Sequence, residues 1–400
     1  MRRAVALLVS LAFSSVAAAQ EPAASSRLFE TAKQTYEVLM TKPVRLSLEP
    51  IAPVSGIVLG VGFQPKPWRT ESTLKIPVAR ASVSMNKYWA VDGSLAWQHI
   101  SGREWRVEPY ARFRSMKRLN DFGIGNEAVF DDRSDFSMLD RRTGVYGYMR
   151  PVGWLAVGGR AEGLWPRTNN GHAADLPSVS VTFSPNDLPG FMEATNYVYT
   201  GVSMNLNYPY VRSERPRRGG DYMAALGTYH DVSGTHHSFT RFELEGQERF
   251  PIPSIDGAFT IHGRLSASAT ASDHSVPFYL MDTLGGADNL RGFKESIIGG
   301  DEATSTLRSF ESFRFRDRTT ALVQVDLRKR LWSQIFISAF ADAGVVAPSL
   351  GQLSKQRLHR GMGVGVSVYR ANALAVRVEV SVWGGEGHPH YLTTGRGLQF

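Results

Sequence analysis

A glycine-rich run in the second half of the chain carries a single arginine between Leu and Gly: Leu284-Gly285-Gly286-Ala287-Asp288-Asn289-Leu290-Arg291-Gly292-Phe293. A guanidinium placed there can do one of two things. It can sit in solvent on an ordinary β-turn. It can also fold inward, where Gly292 permits close approach and the fork pairs a carboxylate bidentately. The acid available for the second is Asp342, in Phe340-Ala341-Asp342-Ala343-Gly344.

Other chemistry is sparse. The chain has no Cys, which removes a disulfide framework, a thiolate metal site and a cysteine nucleophile. It has no Gly-x-Ser-x-Gly elbow. His236-His237 and His388-Pro389-His390 could ligate a metal, yet no helical i,i+4 pair or acidic partner supports it. His262 with Ser266 or Ser268 is the best base–hydroxyl pair, and lining of a polar lumen explains it as well. No catalytic residue, metal or cofactor is expected.

The elements that would position these groups follow from a period of two. Leu374, Val376, Val378, Val380 and Val382 share one face, while Arg377, Glu379 and Ser381 share the other. Trp105, Val107, Ala111 and Phe113 oppose Arg106, Glu108, Tyr110, Arg112 and Arg114. Such strands are long, apolar on one side and charged on the other. Aromatics gather at their ends, as at Trp89, Trp154, Trp165, Trp332 and Trp383. A soluble sandwich buries its apolar faces in a protein core. An outer-membrane barrel turns them to lipid, keeps a polar lumen and carries aromatic girdles. The second pattern fits, and it predicts an all-β transmembrane antiparallel barrel of about 16 strands over residues 54–400. The strands centre near residues 59, 79, 93, 109, 144, 158, 181, 202, 225, 244, 264, 324, 340, 365, 378 and 395, with one long connection from about 273 to 318.

Residues 1–19 read as a secretory signal, with Arg2 and Arg3 before an apolar run and Ala17-Ala18-Ala19 at its end. Residues 20–53 read as a periplasmic segment. Leu28, Phe29, Ala32, Tyr36, Leu39 and Met40 predict a short amphipathic helix that Pro43 stops, followed by an extended linker from Val44 to Pro53. That helix either packs on the barrel or serves as a dimer contact. The 400 residues carry a formal charge of +8, spread along the chain without a basic block beyond Arg215-Pro216-Arg217-Arg218. This argues against a nucleic-acid binder.

The chain resembles the barrel domain of the BamA/TamA superfamily, also called the bacterial surface antigen family. The family's Arg-Gly-Phe loop tip after strand eleven is matched by Arg291, Gly292 and Phe293. Its Phe-x-Asp-x-Gly motif on strand thirteen is matched by Phe340, Asp342 and Gly344. The glycine strand that follows is matched by Gly361, Gly363 and Gly365. Asp121-Phe122-Gly123-Ile124-Gly125-Asn126 resembles a segment of the family's longer loops, and Phe400 resembles its C-terminal assembly signal. The resemblance implies an outer-membrane location and a lumenal loop locked by Arg291 on Asp342. It also implies insertion or translocation of a client protein or lipid through a seam between first and last strands, weakened by Gly56, Gly60, Gly62, Gly395 and Gly397. It departs from the family upstream, where residues 20–53 are too few for a POTRA domain. A pore, or a structural or dimeric barrel, is the alternative.

Overall fold

The computed structural model describes residues 43–47, 51, 55, 58–99, 103–207, 219–286, 306–370, 373–385 and 390–394. Among these residues, sixteen strands form one antiparallel meander in which each pairs with the next. They begin with β1 (Val44–Ser47), β2 (Val58–Phe63), β3 (Thr73–Ser84), β4 (Trp89–His99) and β5 (Glu104–Asp121). Next come β6 (Ser134–Val152), β7 (Leu155–Leu164), β8 (Tyr197–Asn207), β9 (Gly219–Asp231), β10 (Phe239–Ile252) and β11 (Gly257–Ala269). The last are β12 (Thr319–Arg330), β13 (Ile335–Ala347), β14 (His359–Arg370), β15 (Ala373–Gly384) and β16 (His390–Thr394).

Alternation decides what each face meets. On β14, Met362, Val364 and Val366 point out and are exposed, while Gly361, Gly363, Gly365 and Ser367 point in. The same rule exposes Val61, Val91, Phe113, Val145, Val202, Leu226 and Val323 along the wall. An exposed apolar band of this height belongs in a bilayer. Trp89, Trp165 and Trp383 mark one edge of the band, and Trp68, Trp105, Trp154 and Trp332 mark the other. Val364→Arg on the outer face should therefore cost about 2–4 kcal/mol near the midplane. Urea unfolding in liposomes would measure it, and an unchanged midpoint would mean that this face does not meet lipid.

Connections differ sharply between the two ends. Turns at one end are as short as Gly153-Trp154 and 331–334, whereas the other end carries 122–133, 165–196, 270–318 and 348–358. Long loops mark the extracellular end of such barrels. Here they fold over the mouth. Met116, Leu119, Phe136, Met138, Val179, Leu188, Phe278 and Phe313 form an apolar cluster there. Below it the lumen is ionic: Asp140 accepts from Arg114 at 2.6 Å and Arg142 at 2.8 Å. A cavity of about 130 Å³ remains between Arg142, Arg160, Tyr199, Tyr229, Arg241 and Glu243.

Two boundaries differ from the sequence reading. Val44–Ser47, expected as linker, pairs with Gly60–Phe63, so the wall starts upstream of residue 54 and Gly60 and Gly62 belong to its second strand. The strand expected near residue 181 is a single helical turn, Val179–Thr182. Its alternation is bracketed by Pro177 and Pro185, too short a stretch to span a bilayer, and Val179 is drawn into the apolar cap. The two differences cancel, and the strand number stays sixteen. The signal segment, the amphipathic helix, Gly56, Gly395, Gly397 and Phe400 lie outside the described residues.

Candidate functional site: a latched loop in the lumen

The connection between β11 and β12 enters the barrel as a small hairpin, Asp282–Leu284 paired with Phe315–Asp317, all six residues buried. Gly285 and Gly286, at φ +108° and +65°, turn the first arm. Thr306 closes it against the second, donating its backbone N–H to the Gly286 carbonyl at 2.7 Å. From there Leu307-Arg308-Ser309-Phe310 runs along the inner wall formed by β12 to β15.

Arg308 is 1% exposed and reaches three carboxylates. Its backbone N–H donates to Asp342 Oδ2 at 2.8 Å, Nε to the same oxygen at 2.9 Å, and Nη2 to Oδ1 at 2.6 Å. Nη1 donates to Asp326 at 2.9 Å and to Glu379 at 2.8 Å. The guanidinium lies over the Phe340 ring, 4.0 Å from its centroid. Arg377 supports the acids from the wall, at 2.8 Å from Asp326 and 2.6 Å from Glu379. Burial alone would lower the Arg308 pKa; Asp342 first, then Asp326 and Glu379, raise it well above the usual guanidinium value.

The glycines of this wall make room for the loop. A Cβ on Gly344 would stand 2.4 Å from Leu307, and one on Gly361 would stand 2.0 Å from Ser309 Oγ. On Gly363 it would strike the Phe340 ring at 2.5 Å, and on Gly365 it would lie 2.8 Å from Ser338 Oγ. Phe340 can thus lie flat under Arg308 because Gly363 has no side chain. Ser381 donates to Ser309 Oγ at 2.8 Å and completes the cradle.

The structure brings Phe340, Asp342, Gly344, Gly361, Gly363 and Gly365 together around one loop segment. The arginine that meets Asp342 here is Arg308, from the same loop but outside the motif singled out in the sequence. Arg291, Gly292 and Phe293 lie outside the described residues. A signal for Arg308 was present: Leu-Arg-x-Phe occurs twice in the loop, at 290–293 and at 307–310.

The barrel has the outer-membrane fold of BamA and CdiB. The BamA structure from Haemophilus ducreyi lacking POTRA domains 1–3 superposes with a TM-score of 0.53 at 11% identity, over 88% of this chain and 68% of that one. CdiB from Escherichia coli superposes with a TM-score of 0.50 at 12% identity, and the match covers 88% of this chain and 62% of CdiB. No family model and no curated protein matches the sequence. At such identity the shared property is the fold, with its polar lumen and lipid-facing wall.

The histidines take structural places. His262 bonds Gln324 through Nδ1 at 2.9 Å and Glu245 through Nε2 at 3.1 Å, and Ser268 accepts from Arg241 Nε at 2.9 Å. His237 ties three loops: Nε2 lies 3.0 Å from Glu193, and Nδ1 faces both the carbonyl and the hydroxyl of Ser275, at 3.1 and 3.0 Å. His236 does have an acidic neighbour in space, with Asp273 at 3.7 Å and His274 close by. Ser238 N–H donates into His274 Nδ1 at 3.0 Å. In the neutral ring this puts the proton on Nε2, so a metal there would have to displace that proton and disturb the Ser238 bond. The side chains of His388 and His390 lie outside the described residues.

Proposed function

We propose that this barrel handles a client in the outer membrane, inserting or translocating a protein or a lipid, and that it is neither an enzyme nor a standing pore. The observation that carries this reading is the loop latched inside the lumen by Arg308 on Asp342, Asp326 and Glu379. A pore needs a free path. Here an apolar cap covers the mouth and a latched loop fills one side of the lumen, so passage requires a movable element. Gly60 and Gly62 of β2, paired with Ser47 and Arg45 of β1, supply weakly packed positions beside the expected seam. Client and lipid roles are those that the family resemblance implies.

The test has two parts. Single-channel recording in planar bilayers should show a closed protein with brief openings. Liposomes holding the protein should then speed the folding of a urea-unfolded outer-membrane barrel, or the transfer of a labelled lipid between leaflets. A steady open conductance would favour the pore reading. A closed protein that speeds neither reaction would remove the client role.

A further inference from the structure

The geometry points to a second latch, Asp121 with Arg316, which fastens the same loop to the opposite wall and must release together with Arg308 before the lumen opens. This rests on reading the loop as a plug. Arg316 follows Phe315 in the inner hairpin and is 1% exposed; Asp121, the last residue of β5, is 0% exposed. Arg316 Nη2 lies 3.1 Å from Asp121 Oδ1, and Nη1 donates to the Phe278 carbonyl at 2.9 Å. Its guanidinium lies 5.6 Å from the Phe136 ring centroid and 5.1 Å from that of Phe278. The backbone joins in: Gly125 N–H donates to the Arg316 carbonyl at 2.8 Å. Gly125 has φ +115°, a conformation that favours glycine.

Placement gives the pair its meaning. Arg308 is held by β12, β13 and β15, and Arg316 by the end of β5, seven strands away from β12 in a wall of sixteen. Residues 308–316 therefore make a strap moored at both sides of the lumen. The segment after β5 extends the second mooring over the mouth. Asn126 Oδ1 accepts from Val346 N–H at 3.0 Å, and its Nδ2 donates to the Arg357 carbonyl at 2.8 Å.

Two moorings on one short strap act jointly. When one is cut, the other holds the freed end near its cradle, so the loop keeps returning. The moorings are also unequal: Arg308 donates to three carboxylates, whereas Arg316 faces one, and its Nη2, 3.1 Å from Asp121 Oδ1, makes no aligned hydrogen bond there. The Asp121 mooring is therefore the weaker.

The experiment compares four proteins in planar bilayers: wild type, Asp121→Asn, Arg308→Met and the double variant. Each is also made with Glu311→Cys, so that the strap's exposure is read from the labelling rate by an aqueous maleimide. Gel mobility before and after heating confirms a folded barrel, and Arg316→Gln replaces Asp121→Asn if the latter does not fold. Each single variant should stay mostly closed, while the double variant gains about tenfold or more in open probability over the product of the singles. Labelling of the thiol introduced by Glu311→Cys should rise in parallel. The exchanged pair, Asp121→Arg with Arg316→Asp, placed in the Arg308→Met protein should leave it as closed as Arg308→Met alone, in contrast to Asp121→Asn in the same background, which lost packing alone would not do. If either single variant opens as far as the double, or if the double stays closed with a thiol labelled no faster than in the otherwise unaltered protein, the second latch is wrong. A steadily open wild type would instead overturn the plug reading itself.

Discussion

Replacing Arg308 by methionine should destabilise the folded barrel by about 3–5 kcal/mol, the cost typical of removing one partner from a buried ion pair. The apolar stem is kept, so the loss is electrostatic. Asp342, Asp326 and Glu379 would be left with Arg377, which contacts only the last two. Asp342 loses two of its three Arg308 donors, Nε and Nη2, and keeps only the backbone N–H. Its carboxylate is 3% exposed and has little access to water in place of the lost guanidinium. The urea midpoint of the barrel in detergent or liposomes measures the loss. Adding Asp342→Asn to the Arg308→Met protein should recover a large part of it, because the unpaired charge is then gone. An unchanged midpoint in Arg308→Met would mean that the latch is not formed in the membrane.

The second large effect comes from a methyl group. Gly361→Ala and Gly363→Ala should each cost about 1–3 kcal/mol, the range for overpacking a filled interior. They should do so by different routes. At Gly361 the new Cβ meets Ser309, on a loop that can be pushed aside, so the loop should become sensitive to added protease while the wall survives. At Gly363 it stands 2.3 Å from the Val380 carbonyl and 2.5 Å from the Phe340 ring, so the β14–β15 ladder itself must give. Gly263→Ala is the control, since it faces the outside of β11 and the added methyl would meet nothing within 4 Å. Equal behaviour of all three alanine variants, read by urea midpoint and limited proteolysis, would show that the glycines do not make room for the loop.

These residues also show which parts of the molecule were legible in advance. Strand faces were, because the pleat turns alternate side chains to opposite sides whatever the rest of the chain does. Asp342 could be placed on the inner face from the pattern of Phe340 to Gly344, and Arg377, Glu379 and Ser381 from that of β15. Gly361, Gly363 and Gly365 could be recognised as the glycine strand of the family resemblance. What they were for could not be read from β14, since the groups they make room for, Ser309 of the loop at Gly361, Phe340 at Gly363 and Ser338 at Gly365, come from elsewhere in the chain. The role of Arg308 escaped for the same reason. Arg291 and Arg308 both sit in Leu-Arg-x-Phe, and local spacing does not say which of them the path of the loop delivers to the cradle.

By itself, then, the sequence determined an all-β wall, fifteen of its sixteen strands, its lipid and lumen faces, and the acids and glycines that wait inside. These are consequences of a two-residue period and of side-chain type. The tertiary structure alone decided that Val44–Ser47 joins the wall and that Val179–Thr182 leaves it, since each depends on a partner remote in sequence. It alone decided the pairing of Arg308 with three acids and of Arg316 with Asp121. Ion pairs across a lumen depend on how a long connection is threaded between distant strands, and loop closure over such separations leaves no periodic trace in the chain.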